Sequence, residues 1–355
     1  MNRQVLSLPQ AAQDWLERAD RQPLIAVDSH TAGNPTRIVL SGIELPTEVQ
    51  GVDAARAWLR DHADHWRRRL VHEPRGGGLT CAVLPIATTE DNCDIGAVIL
   101  EPGSYPPMCG HCMIGFATVI GELEMLPGLW ATNPLAARIR IRTPAGPIGA
   151  AIRRETVGGA ITVTLSNVAS FKVFERPLSL EGRAITAELL YGGDYYISVD
   201  ARTLGLSLHR GNATEITRVA NLLRATFMQE VPRDPLSGAE LDVYQVLFFD
   251  YDRSRPDRAK IVVVAPPGVI DRSPCGTGSS AFHAKVVTEG LLPPEAVLET
   301  TSIIGTTFRV TAERVVTEAG RLLVSPALTG QAHVNGFLVI AADQTDSLAD
   351  GFDPL

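Results

Sequence analysis

Two cysteines occupy matching settings in the two halves of this 355-residue chain. Cys109 lies in a Met-Cys-Gly-His string and Cys275 in a Pro-Cys-Gly-Thr-Gly string, and each is followed by a Phe seven positions later and then by a Leu-Pro pair. A thiol at the start of a helix ionises readily, because free backbone N–H groups and the helix dipole favour the thiolate. Two such thiols on opposite sides of a carbon could move a proton from one face of that carbon to the other.

The residue after each cysteine is a glycine, Gly110 in the first half and Gly276 in the second. A glycine lets a ligand approach the backbone closely, and the free N–H groups of a helix start bind anions. Each Cys-Gly string could therefore supply a base and half of a carboxylate site. Either cysteine alone could instead be a small buried hydrophobe, but the duplication of the string argues against that. No cofactor is needed if two helix starts hold the enolate-like anion that forms when Cα loses its proton.

The composition is that of an ordinary globular protein, with 45% hydrophobic and 20% charged residues, and the length predicts two domains or one large one. A net charge of −8 argues against a nucleic-acid partner. No apolar run is long enough to span a membrane, and the N-terminal stretch lacks the apolar core of a secretory signal. Five cysteines do not make a disulfide scaffold in so long a chain, so we expect a reduced, cytoplasmic setting. We further expect a monomer or homodimer.

Short apolar stretches bounded by Gly and Pro dominate the chain. Most of them carry β-branched residues, which predicts strands over residues 24–27, 37–40, 80–85, 95–100, 137–142, 160–165, 244–249, 260–265, 321–325 and 336–340. The Gly-Gly pair within residues 157–160 predicts a hairpin turn.

Four stretches have the spacing of helices. Residues 54–70 are amphipathic, with Asp53 as the expected cap, and residues 214–231 are a second amphipathic candidate. Residues 112–124 and 279–290 follow the two Cys-Gly strings and are apolar on most sides, as expected of helices enclosed by strands.

The pattern as a whole predicts an α+β fold in which each half is a strand-rich shell around one buried helix. We expect residues 24–155 together with 330–355 to form the first half and residues 156–329 the second. Residues 1–23 would be an N-terminal extension, with a short amphipathic helix over residues 8–20.

Six segments of the chain resemble the proline racemase family, which includes proline racemases, 4-hydroxyproline 2-epimerases and trans-3-hydroxy-L-proline dehydratases. The most specific is the Asp-Arg-Ser-Pro-Cys-Gly-Thr-Gly string, and together they are residues 28–37, 73–76, 108–111, 191–196, 271–278 and 302–305. The similarity runs from about residue 25 to 340. It implies the diaminopimelate-epimerase-like fold, in which two pseudo-symmetric halves, each a β-barrel-like sheet around a central helix, enclose the site between them.

The resemblance also implies roles for single residues. Cys109 and Cys275 would be the two bases, and Asp271 would hold the ring ammonium of the substrate. The substrate carboxylate would be bound, largely through backbone N–H groups, by Gly110, His111, Gly276 and Thr277. In the dehydratase branch the second cysteine is typically Thr, so the intact thiol favours the two-cysteine epimerases. The implied activity is that of a pyridoxal-phosphate-independent isomerase that inverts C2 of a proline-type amino acid, foremost 4-hydroxyproline.

The chain departs from the family pattern at three positions around this site. Asn34 stands where the family has Glu, Gly77 where it has His, and Gln245 where a His usually lies on the strand before the substrate loop. Gln245 is therefore a further candidate for substrate binding. These departures leave two alternatives open, a trans-3-hydroxy-L-proline dehydratase and a binding protein that keeps the fold without turnover.

The first Cys-Gly string allows two other readings. Cys109-Gly-His-Cys112 is also the redox string of protein disulfide isomerases, but those have a Trp before the first cysteine and this chain has Met108. Zinc binding by Cys109, His111 and Cys112 would need a fourth ligand, and the chain has no second Cys-x-x-Cys, so we expect no metal.

The second Cys-Gly string contains a Gly-x-Gly-x-x-Ala pattern at residues 276–281. This pattern is only a weak dinucleotide-binding fingerprint, because it does not directly follow a strand.

Overall fold

The computed structural model describes residues 9–16, 18, 23–88, 90, 92–343 and 345–352, and it is a mixed α+β protein. Its α-helices are α1 (Gln10–Leu16), α2 (Gly51–His62), α3 (His65–Val71), α4 (Gly110–Glu122), α5 (Ala213–Phe227) and α6 (Gly276–Thr288). The strands of the first half are β1 (Leu24–Thr31), β2 (Asn34–Ser41), β3 (Cys81–Ile86), β4 (Ile95–Leu100), β5 (Ala136–Thr143), β6 (Gly146–Arg154) and β7 (Ile161–Ser166). The remaining strands are β8 (Phe171–Leu180), β9 (Arg183–Tyr191), β10 (Tyr195–Asp200), β11 (Gln245–Asp250), β12 (Arg258–Ala265), β13 (Val269–Ile270), β14 (Leu298–Thr301), β15 (Thr307–Glu318) and β16 (Arg321–Ile340).

The first half is a closed barrel around α4. Its strands follow one another in chain order from β1 to β7, β16 pairs with β7, and the pairing of β16 with β1 closes the ring. Helix α4 is apolar all round, and its residues 110–121 are all buried against the inward side chains of the strands. A helix without a polar face is stable only where it is enclosed, so the barrel and its helix depend on each other.

The second half repeats this arrangement around α6. Its strands run in the order β16, β15, β14, β12, β11, β10, β9 and β8, and a bridge between Ser170 and Val324 brings the β8 end back to β16. Residues 276–287 of α6 are buried inside this shell. Strand β16 belongs to both halves, because its first part pairs with β15 and its last part, residues 332–340, pairs with β1.

Two glycines allow the starts of α4 and α6 to meet between the halves. A Cβ atom on Gly110 would lie 3.1 Å from the Cα of Gly276, and a Cβ on Gly276 would lie 3.1 Å from the Cα of Gly110 and 2.8 Å from a side-chain carbon of Leu328. Larger residues would push the helix starts apart. The Cys-Gly strings thus bring the two N-termini against each other, with the thiols just before them.

The expected fold class is confirmed, with both predicted buried helices enclosed by strands. Ten strand predictions fall on strands, and the last two are parts of the single strand β16. The hairpin expected around residues 157–160 is confirmed, since β6 and β7 on either side of it pair antiparallel. Seven strands have no counterpart in the prediction, namely β6, β8, β9, β10, β13, β14 and β15. The β15 pattern explains one such miss, because most of its side chains are exposed or only partly buried and it lacks an apolar run.

The single helix predicted over residues 54–70 is wrong. Helix α2 ends at His62 and α3 starts at His65, because the intervening Ala63 has a non-helical φ of −140°. Asp53 is not the cap. It lies in the first turn of α2, and its carboxylate accepts a hydrogen bond from Arg142 instead. The other amphipathic helix, α5, ends at residue 227, four residues earlier than expected.

The predicted division near residue 155 stays a prediction, and β7, beyond that point, pairs within the first barrel. Part of the predicted helix over residues 8–20 lies outside the described residues, and the described part contains α1. No helix in the described part of the chain combines the length and apolar character needed to cross a membrane.

Candidate active site

A cavity of about 520 Å³ lies between the two halves, where the starts of α4 and α6 meet. It is lined by all eight residues that the sequence indicated as site residues, namely Cys109, Gly110, His111, Gln245, Asp271, Cys275, Gly276 and Thr277. The first N–H groups of a helix have no partner inside that helix, so both helix starts present free donors to the cavity. The structure thus brings a thiol and a ready anion site from each half to one cavity.

The first thiol lies directly beside an imidazole. Cys109 is the residue before α4, in extended conformation, and its Sγ lies 3.2 Å from Nδ1 of His111. Burial alone would lower the pKa of His111, but the charge of Cys109 and the hydrogen bond to it outweigh that effect and raise the pKa to about 9. His111 is thus a cation at neutral pH, within hydrogen-bond distance of the Cys109 sulfur.

The second thiol has a different environment. Cys275 has φ of 60° and ψ of 114°, a backbone conformation that side-chain-bearing residues rarely adopt and that concentrates at functional sites. Its Sγ accepts a hydrogen bond from the backbone N–H of Gly278 at 3.4 Å and lies 3.5 Å from the hydroxyl of Tyr196. Burial, and then the charge of Asp271, raise the pKa of Cys275 far above its ordinary value. The thiol of Cys275 therefore keeps its proton at neutral pH.

Asp271 lies between β13 and α6 with one carboxylate oxygen already occupied. Its Oδ1 accepts hydrogen bonds from Asn34 Nδ2 at 2.6 Å, from the Ser273 backbone N–H at 2.7 Å and from the Ser273 hydroxyl at 2.8 Å. Oδ2 takes part in none of these three bonds. Burial raises the pKa of Asp271, and the charge of His111 counteracts part of that rise. A buried carboxylate of this kind is stabilised when a cation binds to it.

Asn34 connects the two halves at this carboxylate. It begins β2, and while its Nδ2 donates to Asp271, its Oδ1 accepts a hydrogen bond from the backbone N–H of Arg272 at 2.9 Å. A glutamate here, as in the family pattern, would set a second negative charge near Asp271. The amide instead supports the ionised carboxylate, so this departure is compatible with cation binding.

This contact predicts the effect of a single change at Asn34. In Asn34→Asp a second carboxylate replaces the amide donor, and the repulsion should raise the pKa of Asp271 and weaken its hold on a cation. We expect kcat/KM to fall by about 10–100-fold, because a like charge beside the carboxylate opposes its ionised form. Steady-state kinetics would test this, with Asn34→Ala as the control that removes the amide without adding charge. Equal losses in both variants would contradict the charge argument.

Gln245 contacts a second carboxylate in the cavity. It begins β11, and its Nε2 donates to Oδ2 of Asp194 at 3.2 Å. Its Oε1 is buried without a hydrogen-bond partner among the described residues. Burial raises the pKa of Asp194 to about 6, although the Tyr195 backbone N–H donates to it at 2.8 Å. Gln245 thus lines the cavity, and its side chain there is hydrogen-bonded to the carboxylate of Asp194.

Several further polar residues line the cavity and were given no role from the sequence, among them Cys81, Glu101, Asp194 and Tyr196. Burial, and then the negative charge of Cys109, raise the pKa of Glu101 to about 8. Hydrogen bonds with Cys109 and Cys112 lower the pKa of Cys81 to about 7. Asp194 and Tyr196 lie in segment 191–196, one of the six that resemble the family. That resemblance could have indicated them as site residues. Cys81 and Glu101 lie on or next to barrel strands and carry no motif.

Comparisons with known proteins agree with this geometry. The family described as "Proline racemase" matches residues 26–353. A 4-hydroxyproline 2-epimerase from Streptosporangium roseum is 33% identical over 92% of this chain and 97% of its own. A proline racemase from Acetoanaerobium sticklandii is 31% identical over 92% of this chain and 97% of its own. A crystal structure of a hydroxyproline epimerase from Agrobacterium vitis, with bound trans-4-hydroxy-L-proline, superposes with a TM-score of 0.80 at 29% identity, covering 93% of this chain and 95% of the other.

Fold and site together define an isomerase built from two similar halves that share one cavity. The chain belongs to the proline racemase family. It is a racemase or epimerase of the kind that works without pyridoxal phosphate.

Proposed function

We propose that this protein inverts the C2 centre of 4-hydroxyproline by a two-thiol mechanism. The observation that carries the proposal is that Cys109 and Cys275 line one cavity, each at the N-terminus of an enclosed helix. The named relatives support the substrate class, because they are 4-hydroxyproline epimerases and proline racemases. The cytoplasmic location and the monomeric or homodimeric state stay predictions.

Binding would use the backbone donors of the two helix starts and the carboxylate of Asp271. The substrate carboxylate would accept hydrogen bonds from the backbone N–H groups of Gly110 and His111 on one side and of Gly276 and Thr277 on the other. The ring ammonium would pair with Oδ2 of Asp271, since Oδ1 is held by Asn34 and Ser273. The cation also makes the proton on Cα more acidic, because it stabilises the neighbouring negative charge.

Proton transfer would then run from one thiol to the other through the substrate. The thiolate of Cys109, beside the imidazolium of His111, takes the Cα proton, and the electron pair moves into the carboxylate. The two helix starts stabilise the resulting charge with donors that are already in position. The thiol of Cys275 gives its proton to the opposite face. In the reverse direction the roles of the two sulfurs are exchanged, as microscopic reversibility requires.

The substrate is tested most directly by comparing three amino acids. We expect trans-4-hydroxy-L-proline to be inverted at C2 with a higher kcat/KM than L-proline, as measured by chiral separation of the products. A dehydratase would instead convert trans-3-hydroxy-L-proline into a product that has lost its hydroxyl group, which imine or keto-acid detection would reveal. A binding protein would leave the Cα proton of all three unexchanged in deuterated water. Either of the last two results would overturn the proposal.

Gln245 is proposed to act on the substrate together with Asp194. In Gln245→Leu the donor to the Asp194 carboxylate is lost while the side-chain volume is kept. We expect KM for hydroxyproline to rise about 10-fold with kcat almost unchanged, the effect of losing one hydrogen bond to a charged group. Gln331→Leu is the matched control, because Gln331 is exposed and bonds to Thr162 away from the cavity. An unchanged KM in Gln245→Leu would remove this residue from the site.

A further inference from the structure

A buried phenol lies against the second thiol of the site. Tyr196 lies on β10 and is 1% exposed. Its hydroxyl oxygen is 3.5 Å from Sγ of Cys275 and 2.5 Å from Oγ1 of Thr277. Both partners are buried as well. The three groups thus form a short chain of hydrogen bonds, and because a hydroxyl can rotate, the phenol can be donor or acceptor to either neighbour.

Packing alone does not explain the hydroxyl of Tyr196. Its ring belongs to an apolar cluster that includes Leu190, Val263 and Phe282. A phenylalanine would fill the same space, and a buried hydroxyl costs free energy unless it is hydrogen-bonded. Both groups within hydrogen-bond distance of it belong to residues that line the cavity. The position of this hydroxyl is therefore explained by the site.

The proposed reaction leaves a negative charge on the sulfur beside this phenol. When the thiol of Cys275 gives its proton to Cα, the sulfur keeps the electron pair of the broken S–H bond. Burial, and then the negative charge of Asp271, raise the pKa of Cys275 far above its ordinary value, whereas hydrogen bonds from Tyr196 and the Gly278 backbone N–H lower it in part. The new charge therefore depends on donors that are already in place.

We propose that Tyr196 is a positioning residue that stabilises the thiolate of Cys275 through an O–H···S hydrogen bond. In the thiolate state, Thr277 donates to the phenol oxygen and the phenol donates to the sulfur. In the thiol state both hydrogen bonds can reverse, so that the thiol donates to the phenol and the phenol donates to Thr277. Only hydrogen atoms turn between the two states. This role rests on the proposed function, because that reaction is what moves the proton of Cys275.

The phenol keeps its own proton at each stage. Burial, and then the charge of Cys275, raise the pKa of Tyr196 well above its ordinary value, and the charge of Asp194 adds to this rise. Tyr196 is therefore a hydrogen-bonding group and not a third base. The first thiol has an imidazole in the corresponding place, with Nδ1 of His111 at 3.2 Å from Sγ of Cys109. The two sulfurs are thus stabilised by different groups.

The rate of alkylation of Cys275 tests this contact without any use of activity. The protein is treated with iodoacetamide at mildly alkaline pH, and the initial modification of each cysteine is followed by peptide mass spectrometry. The thiolate is the form that reacts, so loss of a hydrogen bond that stabilises it lowers the rate. We expect Tyr196→Phe to slow the labelling of Cys275 by about 3–10-fold, because the higher nucleophilicity of the remaining thiolate offsets part of the loss. Cys109 in the same sample should keep its parent rate.

Two outcomes of this labelling would overturn the proposal. One is a parent rate at Cys275 in Tyr196→Phe, which would show that the hydroxyl does not stabilise the thiolate. The other is an equal change at Cys109 and Cys275, which would show a general disturbance of the cavity.

Steady-state kinetics with trans-4-hydroxy-L-proline give a second readout. We expect Tyr196→Phe to lower kcat by about 10-fold, the effect of losing a hydrogen bond to a charged group. KM should change little, since the backbone donors of the helix starts and the carboxylate of Asp271 are untouched. A raised KM with the parent kcat would contradict the assigned role.

Tyr251→Phe is the matched control. Tyr251 is 4% exposed and belongs to the same apolar cluster, and its hydroxyl donates to the carbonyl oxygen of Pro256 at 3.1 Å. It does not line the cavity. This variant also loses one buried phenol hydroxyl, so it should show the same kind of stability loss while it keeps the parent kcat and the parent labelling of Cys275. A matching loss of kcat in Tyr251→Phe would show that the effect is structural.

Thr277→Val keeps the proposal testable if Tyr196→Phe shows no cooperative thermal transition. It removes the hydroxyl that donates to the phenol and keeps the backbone N–H of the helix start. We expect slower labelling of Cys275 and an unchanged rate at Cys109, and a parent rate at Cys275 would overturn the proposal. A parent protein that turns over none of the three amino acids would contradict the proposed function, while slower labelling of Cys275 in Tyr196→Phe would leave the stabilising contact standing.

Discussion

Replacing either thiol with a hydroxyl is expected to lower the rate of epimerisation by at least about 10²–10⁴-fold in both directions, the range that one acid or base supplies. Cys109→Ser removes the sulfur beside His111, which is the proposed base, and Cys275→Ser removes the thiol that is the proposed acid for the opposite face. A serine hydroxyl ionises far less readily than a thiol, so it neither accepts nor donates the proton at a useful rate. Both directions fail because each direction uses both groups.

The measurement is the initial rate of inversion from each enantiomer, followed by chiral separation. Cys93→Ser is the control, because Cys93 is a buried cysteine that does not line the cavity, and it should keep the parent rate. Thermal transitions of all three variants show whether the fold is kept. Near-full turnover in either Cys109→Ser or Cys275→Ser would disprove the assignment of two bases.

Loss of the charge on Asp271 is the second change with a large expected effect. In Asp271→Asn the amide oxygen still accepts the hydrogen bonds of Ser273, while the negative charge that would pair with the substrate ammonium is gone. Breaking a buried ion pair costs about 3–5 kcal/mol, which corresponds to a fall in kcat/KM of roughly 10²–10³-fold or more. The melting temperature should change little, because the new side chain has the same shape.

Ser273→Ala separates this role from a purely structural one. It removes the hydroxyl that donates to the carboxylate of Asp271 and accepts from the backbone N–H of Cys275, and it leaves the charge of Asp271 in place. We expect it to lower the melting temperature by several degrees, as loss of two buried hydrogen bonds does, with a smaller effect on kcat/KM than Asp271→Asn has. Normal kinetics together with a large loss of stability in Asp271→Asn would show that this carboxylate only supports the start of α6.

Local sequence was sufficient for those parts of the fold that depend on local pattern. The two enclosed helices were predicted because residues 112–124 and 279–290 are apolar on most sides. Their starts were placed two to three residues too late, since glycines and cysteines are poor helix formers and gave no signal of helix there. Strand β15 was missed for the same kind of reason, because its side chains are mixed and largely outside the core.

The site divides in a similar way. Each Cys-Gly string is a short run of consecutive residues, and Asp271 lies four residues before Cys275. Short motifs in the sequence were therefore enough to indicate these residues. The contact between Asn34 and Asp271 joins residues 237 positions apart, and only the packing of the two halves creates it. Cys81 and Glu101 reach the cavity through the closing of the first barrel, and residue spacing cannot reveal such a placement.

Deuterium tracing tests the two-thiol account most directly. The parent protein is incubated with protonated trans-4-hydroxy-L-proline in deuterated water, and the reaction is stopped when a small fraction has been converted. Because the incoming proton comes from Cys275 and the outgoing one stays on Cys109, the account predicts that the product carries deuterium at C2 while the remaining substrate carries almost none. A product that retains the original proton of the substrate would show that a single base serves both faces, and would contradict the account.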